Sequence, residues 1–453
     1  MYQSDFSLHE LRSRRDAVCA AIGDATALIA GAPASNGSAA FRQYNDFYYL
    51  CGVEVPHAYL ALDGASRRAT LFLPEAKHLV IDSDDPLICA DSPDYALKTT
   101  GVDAVVGRDR LDSYLGAVST LYTFTRDGED LKACVRSLRD ARAQIDADPW
   151  DGRPSRGAWL CDKIKRRFND IDIKDVAPII YEMRMKKSDS EITLLRRAGQ
   201  LSAIGLCEAM RATRAGVMEY HLATALQYHY LAGGALNTSY PAIVGGGKNA
   251  YHGHYHANSA PLNDGDLVLV DCAPDYRYYT SDITRMWPVN GTFSPAQRAL
   301  YGFVTEYHKT LLAAIRPGRT CDDIEDEAVA IMRGRLDEFN FATASHASGP
   351  QWMFDFHTKK RVGHLAHSVG LSVHDGLSHK TGPLEPGMVF AVDPQMKIEA
   401  DRLYLRVEDT GVVTEDGFEV FTRDAPLELD DIEAMTRGES IIAHFPPLPF
   451  DTP

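Results

Sequence analysis

The chain has 453 residues, 45% of them hydrophobic and 24% charged, with a formal net charge of −16. That length exceeds one ordinary core and implies two domains, and the composition is that of a globular protein. The acidic balance excludes nucleic acid and anionic membrane surfaces as partners.

No apolar run approaches the length of a membrane span, and the opening residues read as no secretory leader. The eight cysteines show no C-x-x-C spacing, which suits reduced thiols in a cytoplasmic protein. In chain order, Ser7-Leu8-His9-Glu10 predicts a capped helix, and Ala25 to Ala30 a strand. An aromatic stretch, Phe41 to Gly52, follows. Ala58–Leu62 and Ala69–Leu73 predict a hairpin around Asp63-Gly64. Alternation of strands and helices to about residue 145 predicts an α/β N-terminal domain. Asp146 to Arg156 is polar and proline-rich, a connection. Val176 to Ile180 reads as extended, and the boundary is set at 175/176, giving domains 1–175 and 176–453.

Ser188-Asp189-Ser190-Glu191 caps a long helix, Glu219 to Ala232 forms a second, and Ser294-Pro295-Ala296-Gln297 opens a third. Thr320 to Asp323 caps one more, running to about Leu336. The rest reads as mainly strand and turn, with strands at Met388–Val392 and Tyr404–Val413 and an extended proline-rich tail.

Chemistry concentrates in the second half, where 13 of the 16 histidines lie beyond residue 220. Asp271 and Asp282 flank a Pro-Asp-Tyr-Arg turn. A turn centred on Tyr276 and Arg277 would set them directly opposite, with Cβ atoms about 5 Å apart. Carboxylates that close repel unless a proton or cation lies between them. A turn cap and a solvated strand residue are the plain alternative. Cys272 should face the other side of the sheet and pack. One of the histidines of the stretch Gly363 to Asp375 (His364, His367 or His374), with Asp393 and Glu408, extends the set, and Arg406 shares a face with Glu408 two residues on. Asp, Asp, His, Asp and Glu form an oxygen-rich set with one nitrogen, suited to Mn²⁺, Co²⁺ or Zn²⁺. Five such ligands suggest two metals about 3.5–4 Å apart with a bridging hydroxide.

The order of these motifs resembles the pita-bread metallopeptidases, in their aminopeptidase P and prolidase branch, over nearly the whole chain. Phe41 to Gly52 is similar to the FRQ…DFYYLTG signature of the aminopeptidase P N-terminal domain. Met185 to Arg197 resembles the family's entry helix, and His254-Tyr255-His256-Ala257-Asn258 its HYxxN element. Asp271 to Arg285 resembles its D…GDITR hairpin, with Ser281 for glycine. His367 to Asp375 resembles HxxGxxVHD, Glu385 to Met388 the EPGM turn, and Leu405 to Asp409 the IRIED strand. The resemblance implies an α/β N-terminal domain and an α+β pita-bread catalytic domain. It implies two divalent metals, manganese first among them, one held by Asp282, His367, Asp393 and Glu408, the other by Asp271, Asp282 and Glu408. His254 and His374 would attend substrate and intermediate, with Arg406 in support. The implied reaction removes the residue preceding proline from a peptide N-terminus, and the implied assembly is a homodimer or larger homo-oligomer. A dipeptide-restricted prolidase is the nearest alternative, and a catalytically divergent hydrolase or peptide-binding member is another.

Two departures stand out. Asp393 replaces the family's Glu with a side chain one methylene shorter, and Gly363, followed by His364, stands where histidine is frequent.

Overall fold

The computed structural model describes residues 3–34, 40–80, 84, 86–129, 134–359, 364–376 and 382–444. The chain divides into two compact units, Met1–Arg184 and Met185–Pro453.

The first unit is built on one six-stranded sheet. Its strands are β1 (Thr26–Ala30), β2 (Tyr59–Asp63), β3 (Arg68–Leu73), β4 (Ala104–Gly107), β5 (Thr120–Thr123) and β6 (Asp172–Asp175). Their spatial order is β4-β3-β2-β1-β5-β6. The hairpin β2–β3 forms as its Asp63-Gly64 turn predicts, and β1 pairs antiparallel with β2. β4, β5 and β6 join in parallel behind helices, the α/β arrangement expected from the alternation. Leu28, Phe72, Leu121 and Ile164 fill its core.

Val176 to Ile180 corrects one expectation. It leads into a helix, Ala177–Met185, rather than extending. Arg184 on that helix donates to Asp46 (2.6 Å) and Glu129 (2.7 Å), all three buried. These bonds tie the helix to the first unit, which runs to Arg184. Pro178 sits near the helix start, where its missing N–H costs nothing.

The second unit holds β7 (Asn237–Thr238), β8 (Ile243–Gly246), β9 (Leu267–Asp271), β10 (Pro274–Asp275), β11 (Ile283–Pro288), β12 (His364–Ser368), β13 (Val389–Asp393), β14 (Gln395–Ile398), β15 (Leu403–Arg406), β16 (Glu408–Val413) and β17 (Phe418–Val420). Seven of these make the main sheet, in order β12-β13-β16-β11-β9-β8, with β17 on β16. The remaining four form two short ribbons, β7–β10 and β14–β15. Capping boxes at Ser188 and Ser294 open the helices Asp189–Ala212 and Pro295–Ala314, as their sequences predict. Both helices contribute buried faces to one large core that includes Leu206, Trp287, Phe303 and Phe390.

Three further readings change. Helices Ala344–Phe354 and Leu429–Thr436 lie in the third read as strand and turn. The first carries Pro350, a residue that argues against helix in a sequence. The strand expected from Tyr404 to Val413 is broken at Val407, so β15 belongs to a ribbon and β16 to the main sheet. The proline-rich tail lies outside the described residues.

The Asp271–Asp282 hairpin also has a different register. Thr284, not Asp282, pairs with Asp271. Tyr276 bridges Tyr279, so the turn centres on Arg277 and Tyr278, with φ of 53° and 76°. A two-residue hairpin turn of this hand requires positive φ at both central positions. Arg and Tyr give no sequence signal for that conformation, and the one-residue shift of the turn moves the pairing by two.

Candidate metal centre

The main sheet delivers the acidic residues to one edge because its strands alternate in direction. Asp271 ends β9 and Asp393 ends β13, while Glu408 begins β16 and Asp282 immediately precedes β11. β11 and β16 pair Thr284 with Glu408, and β13 and β16 pair Val392 with Asp409. His367 lies on β12, opposite Ala391. Ligand atoms of Asp282, His367 and Glu408 fall within 4.8 Å of one another.

One guanidinium serves three of the four carboxylates. Arg406 donates from Nη1 to Asp271 (2.9 Å), from Nε to Asp393 (2.7 Å) and from Nη2 to Glu408 (2.6 Å). The break at Val407 does not prevent Arg406 and Glu408 from meeting. Tyr240 Oη lies 2.5 Å from Asp271 Oδ1 and 2.5 Å from Asp282 Oδ1. A hydroxyl carries a single proton, so a second proton or a cation is needed between these three oxygens. Gln395 donates to the other oxygen of Asp393 (2.8 Å), and Thr284 to Glu408 (2.9 Å).

Burial, then the charges of Glu408 and Asp271, push the Asp282 carboxyl well above its ordinary range. Burial also raises Asp393, to about 7, against the pull of Arg406. At Glu408 the burial effect is outweighed by Arg406 and His367, and its carboxyl is held low. Four buried carboxylates thus share one fixed cation, and the remaining negative charge calls for protons or metal. His367 supports metal. Its Nδ1 lies 3.0 Å from the Val373 carbonyl, which fixes the proton there and leaves the Nε2 lone pair aimed at the carboxylates. Nε2 is 3.1 Å from Glu408 and 3.5 Å from Asp282. This donor set fits divalent cations of the manganese, cobalt or zinc kind.

The other expected residues surround this cluster. His374 packs edge-on against His367, ring centroids 4.5 Å apart. Its loop is pinned by Lys187, whose Nζ lies 3.2 Å from Asp375 and 3.2 Å from Ser368 Oγ, with Lys187 and Asp375 both buried. Gly370 is needed there, since a Cβ would stand 2.3 Å from Asp375 Oδ2. Burial and Arg406 lower the His254 imidazole, while Asp271 and Glu408 raise it in part. Cys272 is buried as expected and accepts from Tyr230 (3.0 Å). His364 begins β12, and Gly363 lies outside the described residues.

Several contributors escaped sequence reasoning. Tyr240 precedes Pro241 with nothing to mark it as a partner of two aspartates. Gln395 and Tyr404 were legible in principle, through alternation on paired strands with Arg406. Glu219 is the least obvious. Its Oε1 accepts from Gly246 (2.9 Å) and Asn249 (2.9 Å), and its Oε2 from Tyr255 (2.9 Å) and Ala260 (2.9 Å). With Asn258 bridging Val244 and Ala242, this buried carboxylate fixes the segment that carries His254. Glu219→Gln turns an acceptor toward donors as a second donor. It is expected to cost about 1–3 kcal/mol, read by urea unfolding, with faster amide exchange over residues 246–260. Unchanged exchange there would mean that the segment is held by other contacts.

Comparison with known proteins agrees with this reading. Residues 193–415 match the model of metallopeptidase family M24, and residues 11–122 that of the aminopeptidase P N-terminal domain. The Xaa-Pro aminopeptidase of Escherichia coli is 31% identical over 95% of this chain and 98% of its own length. Xaa-Pro aminopeptidase 3 of Mus musculus is 30% identical over 87% of this chain and 76% of its own. Among solved structures, E. coli aminopeptidase P with the inhibitor Pro-Leu superposes with a TM-score of 0.74 at 28% identity, covering 96% of this chain and 99% of that one. Proline aminopeptidase P II of Yersinia pestis gives 0.74 at 29%, covering 95% and 99%.

The fold is that of a pita-bread metallopeptidase, an α/β N-terminal domain followed by an α+β catalytic domain. Within that class, the chain belongs to the aminopeptidase P branch of family M24 and is a metallo-aminopeptidase.

Proposed function

We propose that the chain hydrolyses the bond between an N-terminal residue and a following proline. The observation that carries this is the convergence of Asp282, His367 and Glu408 within the reach of one ion, with Asp271 and Asp393 drawn onto the same guanidinium. In this reading Asp282, His367, Asp393 and Glu408 hold one divalent cation, and Asp271, Asp282 and Glu408 a second. Such cations supply Lewis acidity and make water a nucleophile at neutral pH. Arg406 holds three mutually repelling carboxylates together, and Tyr240 does the same for Asp271 and Asp282. His254 and His374 flank the cluster, where imidazoles can bond to a developing oxyanion and to the departing proline nitrogen.

Manganese is the cation to test first, with zinc and cobalt beside it. A homodimer in the cytoplasm completes the proposal. Its support is the set of eight cysteines without a disulfide and the family resemblance. Among the described residues no helix is long and apolar enough to cross a membrane.

The deciding experiment combines metal analysis with turnover of Ala-Pro and Ala-Pro-Ala, with and without added Mn²⁺ and after chelation. Release of alanine from both, lost on chelation, is the expected result. Cleavage of Ala-Pro alone would make the protein a prolidase. Absence of both metal and turnover would leave a peptide-binding member of the family.

Asp393 has both oxygens already engaged, one by Arg406 and one by Gln395. The shorter side chain is therefore fitted to its neighbours. Asp393→Glu pushes the carboxylate outward by a methylene, and misplacement near 1 Å costs about a hundredfold. A fall in kcat of roughly ten- to a hundredfold is expected. Undiminished turnover would show that the surroundings accept either acid.

A further inference from the structure

The β14–β15 ribbon separates two environments. Met396, Ile398 and Leu405 enter the core. Directly paired residues point the same way, so Gln395 and Arg406, and then Lys397 and Tyr404, share the opposite face. The first pair engages the carboxylates. The second lies two residues further out on each strand, about 7 Å away.

Tyr404 stands against the segment that bears His254. A Cβ on Gly253 would lie 3.3 Å from its hydroxyl and 3.3 Å from its ring carbon, so glycine leaves room for the ring. Beyond it, Lys397 Nζ sits 4.4 Å from the centroid of the Tyr251 ring, and Arg402 Cζ sits 4.6 Å from the same centroid. Two like charges share one ring, in a chain of net charge −16. Neither makes an ion pair with a carboxylate among the described residues. Asp401, the acidic neighbour of Arg402, instead faces His346 at 3.6 Å. The ring's negative face stabilises each cation but does not neutralise it. Arg402 is exposed and Lys397 half-buried, so the pair is open to an anion from solution.

We propose that this face of the ribbon is the track for the departing part of the substrate, with Tyr404 as its wall and Lys397 and Arg402 receiving the C-terminal carboxylate of a short peptide. An extended chain advances about 3.3–3.6 Å per residue. Two residues beyond the scissile carbonyl therefore span about 7 Å, the same step that separates Arg406 from Tyr404. The track fits a tripeptide with proline in the middle, whose carboxylate comes level with Tyr404 and its paired neighbour Lys397, better than a dipeptide, whose carboxylate would stop about 3.5 Å short of them. This rests on the Xaa-Pro reading above and adds a preference for chain length and for a free C-terminus.

The test uses the metal-loaded full-length chain with Ala-Pro-Ala and its C-terminal amide. The wild type should cleave the acid about tenfold better in kcat/KM, the factor equivalent to 1.4 kcal/mol, with the difference in KM. The double variant Lys397→Met/Arg402→Met should bring the acid-to-amide ratio toward one. Tyr404→Ala should raise KM for both peptides together. Equal cleavage of acid and amide by the wild type overturns the carboxylate site without any variant. So does an unchanged ratio in a double variant that melts normally. If the wild type cleaves neither peptide, it is the Xaa-Pro reading that fails. Calorimetry with Pro-Ala and Pro-Ala amide then reads the track by itself. Preference for the acid that is lost in the double variant supports it, and equal binding overturns it.

Discussion

Asp282→Ala is expected to abolish turnover, by at least about a thousandfold, and to lower the metal content of the purified chain. Asp282 is the residue on which the cluster's interactions converge. One oxygen meets Tyr240, the other faces His367, and its ionisation is opposed by Glu408 and Asp271. Alanine would leave His367 and Glu408 without the third corner of their ligand triangle. Metal content by mass spectrometry separates a lost site from a general loss of fold, which a thermal melt would report. A folded Asp282→Ala protein that retains full metal and activity would mean that the centre lies elsewhere.

Arg285→Met is expected to have the largest effect on stability. Arg285 forms a two-bonded pair with Asp409, 2.9 Å on each oxygen, and donates to the carbonyls of Glu408, Thr284 and Pro426. Asp409 also accepts from Thr422 at 2.5 Å, and its other oxygen lies 2.8 Å from His308 Nε2. Burial would raise its carboxyl, but Arg285 and His308 outweigh that and hold it at about 2. Methionine would strand this buried charge, which costs about 3–5 kcal/mol. The urea midpoint of the metal-free second unit measures it. Arg285→Lys keeps the charge and loses the fork, so its midpoint should fall between the two. A midpoint for Arg285→Met within error of wild type would show that Asp409 is satisfied by His308 and Thr422 alone.

Much of the fold was legible because local chemistry and tertiary structure agree. Ser188 and Ser294 cap helices where they should, and Asp63-Gly64 turns the first hairpin. The failures share a physical cause, which is tertiary packing overriding local preference. Pro350 sits inside a helix, and Arg277 and Tyr278 adopt a backbone that their side chains do not favour. The acidic side chains were legible as a set, since carboxylates and histidine in this order have few other uses. Their partners were not. Tyr240 and Glu219 act through hydrogen bonds made across the fold, and no spacing in the chain announces them.

The break at Val407 has an evolutionary consequence. Arg406 finishes a ribbon and Glu408 starts a strand of the sheet, so one residue divides two inheritances. The sheet side carries Asp271, Asp393 and Glu408 at its strand ends. The ribbon side is a short excursion, joined to the sheet at Pro394 and Val407, whose outward residues can be exchanged without disturbing the strands beneath. Exchange of the outward residues Lys397, Arg402 and Tyr404 would therefore alter the face offered to a peptide while Gln395, Arg406 and the carboxylates they hold stay as they are.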